Sequence, residues 1–239
     1  MSKVISKETI SRLLKDVKQI IKNPLINDGI YYIHDDSDIM KGYAMIVGPE
    51  DTPYFGGYYF FEIEYPHDYP HSPPKAKYFT NGNNVRFNPN LYKCGKVCVS
   101  LLNTWAGEQW TSCQSITSVL LSLCTLLCKD PLLNEPGITK LHQDFNSYNH
   151  IIEYSNLDTA VCDIIFKSSG VYVEFFENFF PFIKEHFLKN YDKFIAFSKE
   201  RHQKFDAPFL IKTNIYTMNI SINYDKLIHK LENSKKILT

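Results

Sequence analysis

The chain has no excess of either charge: 26 Lys and Arg balance 26 Asp and Glu among 239 residues. That balance argues against nucleic acid or an anionic membrane as the main partner, since both call for a basic surface. No apolar run approaches the roughly 18–20 residues that cross a bilayer. The opening residues Met1-Ser2-Lys3-Val4-Ile5-Ser6-Lys7-Glu8 are mixed and polar, with no secretory-signal pattern. The six cysteines, Cys94, Cys98, Cys113, Cys124, Cys128 and Cys162, include no CxxC pair, and no matching histidine pair follows. No metal site is therefore expected. Without a signal sequence the thiols read as reduced, which predicts a cytoplasmic or nuclear protein. Internal repeats and low-complexity tracts are also absent, and tryptophan occurs only twice.

What the chain does have is core-forming material: 44% hydrophobic and 15% aromatic residues, enough for one sizeable domain or a domain with an extension. Ile10, Leu13, Leu14, Val17, Ile20 and Ile21 recur at helical spacing, with Ser6 as N-cap and Pro24 beyond the end. Lys15, Lys18 and Lys22 share a different face of that helix, either simply solvated or a docking face for an acidic partner. Strands are predicted at 30–33, 39–47, 58–65 and 75–80, joined by turns too short for helical crossovers, so the sheet should be an antiparallel meander. Ser115 opens a second helix that is apolar nearly all round and should be buried. It is stopped by Asp130-Pro131, and Asn134-Glu135-Pro136-Gly137 forms a turn. Cys124 and Cys128, one helical turn apart, read as small core residues. The last hundred residues read as mostly helical, over 148–166, through an aromatic segment with a break at Pro181, on to about Gln203, and over 224–236.

Between the meander and the second helix lies a stretch, about 81–110, with neither period. Irregular segments of that length are usually functional or disordered. This one holds both tryptophans and two cysteines, which speaks for function. Within it, Asn88-Pro89-Asn90 is followed by Gly95-Lys96-Val97-Cys98, so an amide stands eight residues before a thiol. A thiol is a competent nucleophile where it can be reached and where a nearby donor stabilises an oxyanion.

The order of these elements resembles the ubiquitin-conjugating enzymes, the E2 family, from Ser6 to Gly137. The matching features are the first helix, the meander and the Tyr65-Pro66…Asp68-Tyr69-Pro70…Pro73-Pro74 turn. The Asn-Pro-Asn turn, Gly95-x-Val97-Cys98, Trp110 and the helix ending at Asp130-Pro131 complete them. Asn88 stands where the family usually has His. That variant, with Thr104 to Trp110 and Asn134 to Gly137, is similar to a subclass of larger members with helical extensions, and Ala160-Val161-Cys162-Asp163 is similar to part of such an extension.

The resemblance implies an α+β fold: N-terminal helix, four-stranded antiparallel meander, active-site loop and central buried helix. It implies a catalytic core over 6–137 and a mainly helical extension over 138–239. Cys98 would accept the C-terminal carboxyl of ubiquitin, or of a ubiquitin-like protein, from an activating enzyme, and pass it to a substrate lysine or to a ligase. No cofactor is implied. Sulfur needs no strong adjacent base for this chemistry, and no histidine partner is evident. Asn90 would donate to the oxyanion or hold the loop by a turn-type bond. Asp130 would position the incoming amine or simply end its helix. Lys15, Lys18 and Lys22 would meet the activating enzyme, while Pro70, His71 and Trp110 would meet a ligase. His71 and Thr111-Ser112-Cys113 depart from the family's usual ligase-binding residues. Cys94 reads as an inert second thiol. Two other readings stand beside this one, an inactive family member acting as a ubiquitin-binding module and a cysteine hydrolase.

Overall fold

The computed structural model describes residues 5–82, 85–205 and 207–239. They form two compact units. The first comprises Met1–Ile46, Phe60–Phe79 and Asn90–Leu126, and the second Val47–Tyr59, Thr80–Pro89 and Leu127–Thr239.

The first unit opens with α1, Lys7–Lys22, capped by Ser6, whose Oγ accepts the Thr9 N–H at 3.0 Å. Leu13, Val17 and Ile20 are buried along one stripe, whereas Lys15, Lys18 and Lys22 are exposed. The sheet runs in sequence order through β1 (Ile30–His34), β2 (Lys41–Val47), β3 (Tyr58–Glu64) and β4 (Lys75–Tyr78). It is the expected meander, with Ile30 facing Ile46 and Phe61 facing Tyr78 in antiparallel register. Helix α2, Ile116–Thr125, buries Ile116, Val119, Leu120 and Leu123. It is not buried all round, because Leu121 is 41% exposed, and it ends well before Asp130. Its last turn is followed by a short 3-10 turn at Pro131–Asn134, where proline's fixed φ suits the first position.

From Phe145 onward the described residues of the second unit are mainly helical. Helix α3, Phe145–Ser155, continues into a π-helical stretch, Asn156–Asp163, within the expected single helix. Side-chain bonds hold the wider turns. Asn156 Oδ1 accepts from Tyr59 at 2.7 Å and its Nδ2 donates to the Phe55 carbonyl at 2.9 Å. Lys230 Nζ meets Asp158 at 2.7 Å and Asp163 at 2.8 Å. Helix α4, Phe180–Lys204, carries Pro181 in its first turn, so that proline starts a helix rather than breaking one. A two-stranded hairpin, β5 (Phe209–Lys212) with β6 (Asn219–Ile222), fills the stretch between the last two expected helices, and α5 (Tyr224–Leu238) closes the described residues. No described helix is long and apolar enough to cross a membrane.

Candidate active site

Cys98 leaves a small hairpin. Leu91 and Val97 form an isolated antiparallel bridge, and the Tyr92 N–H reaches the Lys96 carbonyl at 2.9 Å. Gly95 turns this hairpin with φ at 89°, where a Cβ would come within 2.9 Å of the Tyr78 carbonyl, so only glycine fits. The hairpin carries Cys98 back to Asn90, and two bonds tie them. The Cys98 N–H donates to the Asn90 carbonyl at 2.9 Å, and Asn90 Nδ2 donates to the Cys98 carbonyl at 2.6 Å. Beyond the cysteine, Thr104 Oγ1 accepts the Val99 N–H at 3.0 Å around a 3-10 turn, Ser100–Leu102. The Cys98 residue is 2% exposed, whereas the following residues 103–109 are all exposed.

Cys162 is a different kind of thiol. Fully buried, it has its pKa pushed up to about 12 by loss of solvent, and it is chemically inert at neutral pH. Cys94 is exposed, while Cys124 and Cys128 are only half-buried and are less of the core than their helical spacing suggests. All six thiols are free.

Asn88, in the second unit, is fully buried. Its Nδ2 donates to the Tyr54 hydroxyl at 3.1 Å, and its Oδ1 accepts from Asn134 at 3.4 Å. Tyr54 in turn donates to the Phe87 carbonyl at 2.6 Å. An amide at this position thus fixes the turn by bridging two side chains. Asp130 also lies in the second unit, its carboxylate paired with Lys140 at 2.7 Å.

Pro70 and Trp110 are brought together in the first unit. The indole N–H donates to the Pro70 carbonyl at 2.7 Å, and the Trp110 N–H is received by Asn103 Oδ1 at 2.9 Å. Both residues are buried, and His71 beside them is exposed. Arg12 reaches the same region, donating to the Ser112 and Gln114 carbonyls at 2.6 Å each while paired with Asp16. The sequence alone gives Arg12 and Asn103 no role, and Asn134 only a place in a turn. Each works through a bond to a distant or irregular segment that no periodicity reveals. Among the described residues, no three His, Cys, Asp or Glu side chains gather as a metal site.

A sequence profile of the family described as "Ubiquitin-conjugating enzyme" matches residues 12–156, more than half of the chain. The chain belongs to the ubiquitin-conjugating enzyme family. Among curated members it is 40% identical over 199 residues to "Ubiquitin-conjugating enzyme E2 Z" of Danio rerio, across 82% of this chain and 59% of that protein. The Homo sapiens protein of the same name is 43% identical over 161 residues, across 66% of this chain and 45% of its own length. "Probable ubiquitin-conjugating enzyme protein 17" of Caenorhabditis elegans is 37% identical over 198 residues, across 77% of this chain and 27% of its own. The chain thus spans roughly half or less of the length of several curated relatives. The α+β architecture, with its N-terminal helix, four-stranded meander and central helix, is the fold of this family.

Proposed function

We propose that this chain is an active conjugating enzyme that carries ubiquitin, or a ubiquitin-like protein, as a thioester on Cys98. The observation that supports this reading is the reciprocal clamp between Asn90 and the Cys98 backbone, which ties an amide-bearing residue to the cysteine's own residue. In charging, the Cys98 thiolate attacks the modifier's C-terminal carbonyl held on the activating enzyme. A new S–C bond forms and the activating enzyme's thiolate leaves. In transfer, a lysine amine attacks the same carbonyl, the C–S bond breaks, and Cys98 leaves as thiolate while the amine's proton passes to solvent. A thioester is reactive toward amines yet slow to hydrolyse.

The bond from Asn90 to the Cys98 carbonyl supports the loop-holding role. An amide nitrogen carries two hydrogens, so the same group also suits the oxyanion role. Asp130 would position the acceptor lysine after releasing Lys140. The exposed Lys15, Lys18 and Lys22 suit an acidic face of the activating enzyme. His71, exposed beside the Pro70–Trp110 clamp, would meet a ligase. We assign the chain to the Asn-Pro-Asn subclass, with a core over 6–137 and an extension over 138–239. Six free thiols suit a reducing compartment, the cytoplasm or the nucleus.

The test is a charging assay with activating enzyme, ATP and ubiquitin, resolved with and without reductant. The expected product is a reductant-sensitive adduct that Cys98→Ala abolishes. An adduct that persists in Cys98→Ala removes Cys98 from its role. If no adduct forms with ubiquitin or with any ubiquitin-like modifier, the proposal gives way to a binding module.

A further inference from the structure

The motif turn is tied to the far end of the sequence by a closed ring of interactions within the second unit. Arg86 donates from Nε to the Asn88 carbonyl at 3.0 Å and from Nη2 to the Pro89 carbonyl at 2.6 Å. Its guanidinium lies over the Tyr216 ring, 4.9 Å from the centroid. The Tyr216 hydroxyl donates to Glu135. Asn134, next to Glu135, donates to Asn88 Oδ1 at 3.4 Å and brings the ring back to the turn. The Arg86 backbone is held as well, its carbonyl by the Tyr148 hydroxyl at 2.6 Å and its N–H by Met218 sulfur at 3.3 Å.

Tyr216 is held with unusual care. It sits in the hairpin loop between β5 and β6 with φ at 58°, and Thr217 follows at 50°. Non-glycine residues pay for that conformation and keep it only where surroundings impose it. Here the buried Asp144 carboxylate receives the Asn214 and Ile215 N–H groups at 2.9 Å each, and the Thr213 N–H reaches the Met218 carbonyl at 3.0 Å.

The consequence lies in the peptide linking Pro89 to Asn90. A peptide is planar, so fixing the Pro89 carbonyl also fixes the N–H side on which Asn90 begins. A charge-assisted bond at 2.6 Å is a firm tether for that plane. The ring stops one covalent bond short of the residue that clamps Cys98.

We infer that Arg86 and Tyr216 are positioning residues for the transfer reaction: the β5–β6 loop, through the Tyr216 ring and the Arg86 guanidinium, sets the orientation of Asn90. The inference rests on the proposed conjugating activity for its kinetic part and stands apart from it for its structural part. Arg86 acts through the orientation of Asn90, so its effect should fall on the transfer step that Asn90 serves and spare charging.

The experiment uses the full chain, charged on Cys98, purified and chased with free lysine in single turnover, alongside amide spectra recorded by NMR. Tyr216→Ala and Arg86→Met should charge normally yet discharge about tenfold more slowly at saturating lysine, a fraction of the hundredfold cost of a misplaced reacting group. The lysine concentration giving half the maximal rate should not change. Tyr216→Phe keeps the ring and should restore discharge to within about twofold of wild type, because the stacking face is retained. The Asn90 backbone and side-chain amide signals should move in Tyr216→Ala. Arg86→Lys supplies a variant that keeps the charge but lacks the planar fork for two carbonyls, and it too should move those signals.

Discharge within twofold of wild type in both Tyr216→Ala and Arg86→Met overturns the inference, as does a slowed discharge with the Asn90 signals unmoved. If Tyr216→Ala and Arg86→Met do not fold, unmoved Asn90 signals in Arg86→Lys overturn it. A wild-type chain that never charges defeats the proposed activity instead, and the Asn90 signals then decide the inference on their own.

Discussion

Cys98 in the first unit and the π-helical stretch in the second are both places where the backbone leaves regular structure, and they are held in opposite ways. The cysteine is fixed by partners a few residues away: Asn90, Val99 and Thr104, with Gly95 making the hairpin possible. The π-helical stretch is fixed by partners far along the chain: Tyr59 and Phe55 on Asn156, and Lys230 on Asp158 and Asp163. Burial opposes the charge on Lys230, but the two carboxylates outweigh it and lift the ammonium's pKa above its ordinary value. A locally built site can be recognised as a motif. A site built from distant partners is visible only after folding, and it couples the stability of the second unit to a few partly buried charges.

The comparison breaks most visibly at Cys98. Cys98→Ser should form no thioester and, if charged at all, should trap an ester that resists reductant; gel analysis with and without reductant reads the outcome. Asn90→Ala removes the local clamp and should slow lysine discharge by about a hundredfold, the scale of losing one oxyanion donor. Charging should be affected far less, and a single-turnover chase separates the two steps.

The second unit should fail differently. Lys230→Met leaves Asp158 and Asp163 without their cation and should cost about 3 kcal/mol, the lower end of the range for breaking a buried ion pair, since Lys230 keeps some exposure. Urea unfolding measures this, and adding Asp158→Asn with Asp163→Asn should return part of the loss. A cost below about 1 kcal/mol would show that the ion pairs do not hold the stretch.

Acid should act on the same unit. Burial keeps His150 and His186 neutral, with pKa values lowered from 6.5 to about 4. Between those two values these histidines bind more protons in the unfolded chain than in the folded one, so their contribution makes stability fall as pH drops through the window and is complete below about 4. Melting temperatures at several pH values should show this, and His150→Phe should flatten the slope, because it keeps a ring against Phe205 and Phe209 and removes one titrating group. The smallest effect belongs to the exposed lysines. Replacing Lys15, Lys18 and Lys22 by Glu should slow charging about fivefold at low salt and less at high salt, because exposed charges are screened.

The first unit was largely legible in advance. α1 with its Ser6 cap, the four strands and the turn that joins Asn90 to Cys98 follow from periodicity, from turn residues and from one motif. The second unit was read less well. Helical periodicity near 148–166 was real, but nothing in it signals that the turns widen at Asn156. The β5–β6 hairpin has strands of only four residues each, too short for an alternating pattern to outweigh the helical segments on either side. The sequence predicts a break at Pro181 because proline removes a helical hydrogen bond, yet in a first turn that donor has no intrahelical partner. Apolar residues nearly all round predict a fully buried α2, and only packing shows that the side carrying Leu121 stays open.

By itself the sequence determined the family and the tight turn that returns Cys98 to Asn90, because these depend on residue types at close spacing, where local geometry dictates contact. Only the tertiary structure decided what holds Asn88 and Arg86, where the π-helical stretch finds its bonds, and which thiols are inert. Those outcomes depend on burial and on partners brought together across long stretches of chain, and no local pattern encodes them.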